Sequence, residues 1–213
     1  MKKYKKKKKM VVFTTTYSSE MGAIKEFLLN LGKKEVLDFE KEYQWRKLFG
    51  PWGLDILVKW YAGYKKEDLK KLSRDFHLEY LSAGFKDLVF ELKEKGNLVG
   101  VINPNPQFMM DTLKENMPLD FAIGLDFEYE NGISNGKIKR LVHRYIEVEL
   151  LKEKRQQYGL NKDNVITIGR SSVNHVPIAR ESGIFVGFDP VKNTIKEVTK
   201  RMKANQDLNK IIF

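Results

Sequence analysis

Residues 10–19 read Met10-Val11-Val12-Phe13-Thr14-Thr15-Thr16-Tyr17-Ser18-Ser19, and the change of pattern at the end of this stretch decides the fold. Met10 to Thr16 is apolar and β-branched, the character of a buried first strand. The periodicity then changes. Met21, Ile24, Phe27, Leu28 and Leu31 recur at helical spacing, and Gly32 supplies a stop. Glu40 to Tyr64 carries Tyr43, Trp45, Phe49, Trp52, Trp60, Tyr61 and Tyr64. Gly50-Pro51 divides it into two helical pieces, and Gly63 ends the second. Lys66 to Phe76 is amphipathic, with Leu69, Leu72 and Phe76 on one side. Nothing between residues 20 and 80 has the character of a parallel-sheet strand, so the first strand leads into an all-helical module.

Beyond residue 80 strands return. Phe85, Leu88, Val89 and Leu92 mark a helix capped by Gly96, and Leu98 to Ile102 is a short apolar strand. A helix from Gln107 to Asn116 and a strand at Phe121 to Leu125 come next. Phe127 to Leu141 contains Asn131-Gly132 and Asn135-Gly136, the turn signals of a β-hairpin. Ile146 to Tyr158 is helical, Val165 to Ile168 a strand, Val173 to Glu181 helical, Ile184 to Val186 a strand and Thr194 to Lys203 a closing helix. This alternation predicts parallel βαβ units with right-handed crossovers. The expected fold is α/β: a Rossmann-like three-layer α/β/α core over residues 10–19 and 80–213, a helical cap over 20–79, and a disordered lysine-rich tail over 1–9.

Composition narrows the function classes. The chain has 213 residues, with 39 Lys+Arg against 28 Asp+Glu, a formal charge of +11. Residues 2–9 hold seven lysines, so the remainder stands at 32 against 28 and is only mildly basic. Lys2 to Lys9 is read either as a solvated extension or as an anchor for nucleic acid or anionic lipid through counterion release. No apolar run is long enough for a membrane span, no signal peptide is evident, and a cytoplasmic location is expected. Zero cysteines exclude a disulfide scaffold, a zinc-thiolate site and a Cys nucleophile. His77, His143 and His175 have no metal-ligand spacing.

The order of elements resembles the haloacid dehalogenase-like superfamily, in particular its phosphoserine phosphatase-like branch. Tyr64-Lys65-Lys66-Glu67-Asp68-Leu69-Lys70-Lys71-Leu72 is similar to the last cap helix of that branch. Ser82-Ala83-Gly84-Phe85-Lys86-Asp87-Leu88-Val89-Phe90-Glu91-Leu92-Lys93-Glu94-Lys95-Gly96 resembles the helix that returns to the core. Asp207-Leu208-Asn209-Lys210-Ile211-Ile212 resembles the closing segment.

The resemblance implies four catalytic motifs, and all four are altered here. Thr14 and Thr16 stand where two aspartates, nucleophile and acid/base, end the first strand. Asn103, in Val101-Ile102-Asn103-Pro104-Asn105-Pro106, replaces a phosphate-binding Ser or Thr. Glu147 falls at the position of a lysine, with Lys152 the nearest lysine downstream. Gly169-Arg170-Ser171-Ser172-Val173-Asn174 replaces Gly-Asp-Gly-x-x-Asp, so two metal-binding carboxylates become Arg170 and Asn174. Oxygen-ligand sites for divalent ions use carboxylates. The expectation is therefore no Mg²⁺, no other cofactor and no aspartyl-phosphate chemistry. Arg170 and Glu147 are read either as an ion pair filling the cleft or, for Arg170 with Ser171, Ser172, Asn174 and Asn103, as an anion pocket at a helix start.

Three functional readings are open. The first is a catalytically inactive, phosphatase-like binding, regulatory or scaffolding protein holding a small phosphorylated or carboxylated ligand, with the aromatic cap offered to a protein partner. The second is an active hydrolase or phosphatase with a repurposed site in which Thr14 or Thr16, His175 or Glu147 does the chemistry. The third is a nucleic-acid accessory protein using the basic tail. The insert aromatics are read as the core of a small bundle rather than as base-stacking platforms.

Overall fold

The computed structural model describes residues 8–17, 22–170, 172–188 and 200–202. Seven strands form one sheet: β1 (Met10–Phe13), β2 (Leu98–Pro106), β3 (Phe121–Glu130), β4 (Ile133–Arg140), β5 (Val165–Arg170), β6 (Ile184–Phe188) and β7 (Lys200–Met202). Their order is β4-β3-β2-β1-β5-β6-β7, with every neighbouring pair parallel except the β3–β4 hairpin. β1 is central, and all four of its residues are buried, which explains its unbroken apolar reading.

The hairpin forms where the first Asn-Gly pair stands. Asn131 and Gly132 take positive φ, 51° and 80°, at the turn between β3 and β4. Asn135-Gly136 is not a second turn. It lies inside β4, where the register shifts, and Gly136 at φ 76° closely approaches Ala62 and Lys59 of the helical insert. The expected closing helix is corrected at its described end: Lys200–Met202 is a strand paired to β6. The rest of that segment, the lysines at 2–7 and Asp207 to Ile212 lie outside the described residues.

Between β1 and β2 run α1 (Ala23–Asn30), α2 (Val36–Arg46), α3 (Leu54–Lys59), α4 (Lys66–Tyr80) and α5 (Phe85–Glu94). The Gly50-Pro51 break separates α2 from α3 as the sequence predicts. Beyond β2 lie α6 (Gln107–Asn116), α7 (Ile146–Gln157) and α8 (Val176–Arg180). Helix α8 is shorter than the sequence suggests, because Val173–His175 is a 3₁₀ turn.

Most insert aromatics are interior. Phe27, Tyr61 and Phe76 join Phe108 and Phe127 of the core in one buried cluster, so cap and core share a single hydrophobic body. Arg46, Trp52, Phe39, Tyr43 and Lys47 form a ladder: Trp52 and Tyr43 stack on the two sides of Phe39, and a cation closes each end. Trp45 and Phe49 are the exceptions, Phe49 being 76% exposed, and Leu48 is exposed beside them.

The two chain passages between core and cap run side by side. Tyr17 and Leu81 form an antiparallel bridge, and Ser82 N–H donates to the Thr16 carbonyl at 3.0 Å. A buried polar chain pins this crossing. Tyr17 O–H donates to His77 Nδ1 (3.0 Å), His77 Nε2 to Thr112 Oγ1 (2.8 Å), and the Thr112 hydroxyl to carbonyls of its own helix. Because a carbonyl only accepts, Thr112 donates to it and His77 Nε2 carries the proton directed at Thr112, while the neutral ring that accepts from Tyr17 at Nδ1 is the form burial favours. Burial lowers its pKa to about 4.

Candidate active site

The carboxyl ends of β1, β2 and β5 open into a cleft of about 440 Å³ between core and insert, the position at which open α/β sheets present ligands. Thr14, Asn103, Glu147, Arg170, Ser172 and Asn174 all line it, from four separate segments of the chain. Thr16 does not line it; it is fully buried, and its Oγ1 has no hydrogen-bond partner among the described residues. Ser171 lies outside the described residues, as do Ser18 and Ser19.

Each side chain is set by its strand end. Thr14 follows β1 directly; its N–H and its Oγ1 both donate to the Ile168 carbonyl, at 2.8 and 3.2 Å. Asn103 is 2% exposed, and its Oδ1 accepts from the Asn105 N–H at 3.0 Å, turning the Asn-Pro-Asn-Pro segment into the cleft. Asn174 Nδ2 donates to the Tyr43 hydroxyl of α2 at 2.9 Å, a direct link from core to insert.

Glu147 is 2% exposed in the first turn of α7. The Arg170–Glu147 ion pair expected as one reading of the sequence is not formed. Oε2 of Glu147 has no hydrogen-bond partner among the described residues, and burial alone pushes its carboxyl up to about 8. At neutral pH it is a carboxylic acid with a proton to give. His175 moves the opposite way: burial, with the charges of Arg170 and Lys47, lowers it to about 4. Its Nδ1 lies 2.6 Å from the Arg170 carbonyl, so Nδ1 carries the proton and Nε2 is a bare acceptor.

The cleft is electropositive. Lys25, Lys47, Arg144 and Arg170 line it against Glu40, Glu147 being protonated. Burial pushes the Lys47 ammonium pKa down, with Glu40 opposing the shift and Arg170 adding to it. Arg144 and Lys47 carry no motif signal. Arg144 lies in the turn just before α7, three residues ahead of Glu147.

Comparison with known proteins places this geometry. No family model matches the chain. A phosphoserine phosphatase of Archaeoglobus fulgidus is 30% identical over 138 residues, 64% of this chain and 40% of that protein. One from Streptococcus thermophilus is 25% identical over 62% of this chain and 61% of its own length. The chain thus spans less than two thirds of either. One from Methanocaldococcus jannaschii is 23% identical over 97% of both chains. Among solved structures, a phospho-aspartyl intermediate analogue of phosphoserine phosphatase has a TM-score of 0.77 at 21% identity, covering 96% of this chain and 97% of that one. A substrate-bound phosphoserine phosphatase gives 0.75 at 19%, covering 96% of each. In sequence the chain is similar to these curated phosphoserine phosphatases, and its fold is that of the solved phosphoserine phosphatases.

These relatives correct three expectations. The inactive reading and the non-enzymatic reading are overturned, because the curated relatives are all named as phosphatases and the fold is that of structures solved with substrate and with an intermediate analogue. The expected absence of Mg²⁺ falls with them, since the resemblance carries that ion with the activity. The side chains themselves do not fit the ion. Thr14, Thr16, Arg170 and Asn174 offer no carboxylate, and among the described residues no cluster of three His, Cys, Asp or Glu could hold a metal.

Proposed function

We propose that this chain is a phosphatase that hydrolyses a small phosphorylated molecule in the cleft, through a site rebuilt from neutral and cationic side chains. The observation that carries this is convergence: Thr14, Asn103, Glu147, Arg170 and Asn174 line one cleft in which cations outnumber the ionised carboxylate. The names of the relatives support a phosphomonoester of phosphoamino-acid size, and a cytoplasmic location belongs to the same reading.

Glu147 and His175 divide the acid–base work, because their surroundings drive their pKa values apart. A water attacks phosphorus and gives its proton to Nε2 of His175. As the bond from phosphorus to the leaving oxygen breaks, that oxygen takes the proton of Glu147. Arg170 and the Asn103 and Asn174 amides hold the phosphoryl oxygens, and the Thr14 hydroxyl lies beside the His175 ring. Both groups are in their working forms between about pH 4 and pH 8.

The test is phosphate release from phenyl phosphate and O-phosphoserine by the full chain in Mg²⁺-containing buffer. Turnover is expected for at least one ester, with a flat pH profile between those limits. Glu147→Gln is expected to lower kcat roughly 100-fold or more. Absence of release from every phosphomonoester tried, or a Glu147→Gln variant as active as the parent, overturns the reading.

A further inference from the structure

Arg144 lies outside all four motifs, yet it is the most tightly buried cation of the cleft. Its side chain is 7% exposed. One arm is fixed: Nη1 donates to the Lys47 carbonyl at 2.8 Å, at the carboxyl end of α2 in the insert. The guanidinium sits over the Tyr145 ring, 5.0 Å from its centre. Nε has no hydrogen-bond partner among the described residues. A buried charged donor left unmatched is costly, more so than the same group in water. Glu147, three residues along the chain, does not relieve it: no ion pair joins the two, and that carboxyl holds its proton at neutral pH.

We infer that Arg144 is a second cation, beside Arg170, that grips the phosphoryl group of the ligand, and that the Lys47 carbonyl of the insert orients it to do so. A guanidinium is a planar fork of five donors matched to phosphoryl oxygens. With Nη1 occupied by the carbonyl, the fork is held in one orientation before the ligand arrives, so little freedom remains to be lost on binding. At the position where the resemblance places a lysine this chain has Glu147, and Arg144 stands three residues earlier, in the turn before α7. The gripping residue comes from the core and its orienting acceptor from the insert, so the grip exists only while α2 lies over the cleft.

This inference rests on the proposed function for the presence of a phosphate group, and its test separates the two. Inorganic phosphate and phenyl phosphate are titrated calorimetrically into the full chain and into Arg144→Gln and Arg144→Lys, with thermal unfolding of each followed alongside. Binding is expected to weaken at least 10-fold in Arg144→Gln. Arg144→Lys keeps the buried charge, preserves the fold and is expected to bind more weakly than the parent, because an ammonium cannot hold the carbonyl and a phosphoryl oxygen with one rigid plane. Phosphate affinity unchanged in a folded Arg144→Lys and Arg144→Gln, with only the melting temperature lowered, makes Arg144 a strut and overturns the inference while leaving the phosphatase reading standing. A parent chain that binds neither phosphate overturns both.

Discussion

Gly169 is a glycine because of Thr14. A Cβ built on Gly169 would collide with Thr14 Oγ1, and it would also sit 3.4 Å from the ring of His175. Backbone strain is not the reason, since Gly169 is not among the positive-φ glycines. The missing methyl lets β5 approach the end of β1 closely enough for Thr14 to bond the Ile168 carbonyl. Gly169→Ala is expected to cost about 1–3 kcal/mol by overpacking. Thr14→Ala in the same chain should return most of that loss, a coupling that chemical denaturation of the four-member cycle measures directly.

Glu147 makes stability fall as pH rises. Its folded pKa, about 8, lies above its ordinary value near 4.5, so between those limits the unfolded chain releases a proton that the folded chain keeps. The slope is at most ~1.4 kcal/mol per pH unit. Glu147→Gln cannot ionise. Its melting temperature relative to the parent is therefore expected to climb between pH 5 and pH 8, with no such climb below pH 4.5. Parallel curves for the two proteins would mean that the carboxyl is solvated.

Two histidines act in the other direction. His77 and His175 are held near 4, below the ordinary 6.5, so the unfolded chain takes up protons that the folded chain refuses as pH falls from 6.5 to 4. Two groups outweigh the single opposing carboxyl in that interval. The urea midpoint is expected to peak near pH 6.5 and to drop towards pH 4.5, and His77→Gln should make the acid side of that curve shallower.

Tyr43 tests the second tie between core and insert. Tyr43→Phe keeps the ring against Phe39 and removes only the acceptor for Asn174. Trypsin should then cut after Arg46 or Lys47 several-fold faster than in the parent, with global stability changed by about 1 kcal/mol or less.

The layout was legible because periodicity reports burial. The unbroken apolar run of β1, the helical spacing of the insert and the Asn131-Gly132 turn each state a local geometry that the tertiary fold leaves alone. The cleft was legible only by position. The resemblance brought Asn103, Glu147, Arg170 and Asn174 to one place, but nothing in their identities said how burial would set their charges. Glu147 beside an arginine reads as an anion in sequence; burial, with Oε2 unmatched among the described residues, makes it an acid. Arg144 was missed because its importance comes from a carbonyl 97 residues away. Asn135-Gly136 misled for a related reason, since the insert packs against it and converts a turn signal into a strand irregularity.

The insert is fastened unevenly. Helix α4 is riveted to α6 by Ser73, His77 and Thr112 inside and by Lys70 and Arg74 on Glu115 outside, while Gly63, Tyr64 and Lys66 exchange backbone hydrogen bonds with the β4 hairpin. Helix α2 buries only Val36 fully. Helix α2 is therefore the least anchored edge of the roof over the cleft, and the Arg144 bond to the Lys47 carbonyl is one of the ties that hold that edge down.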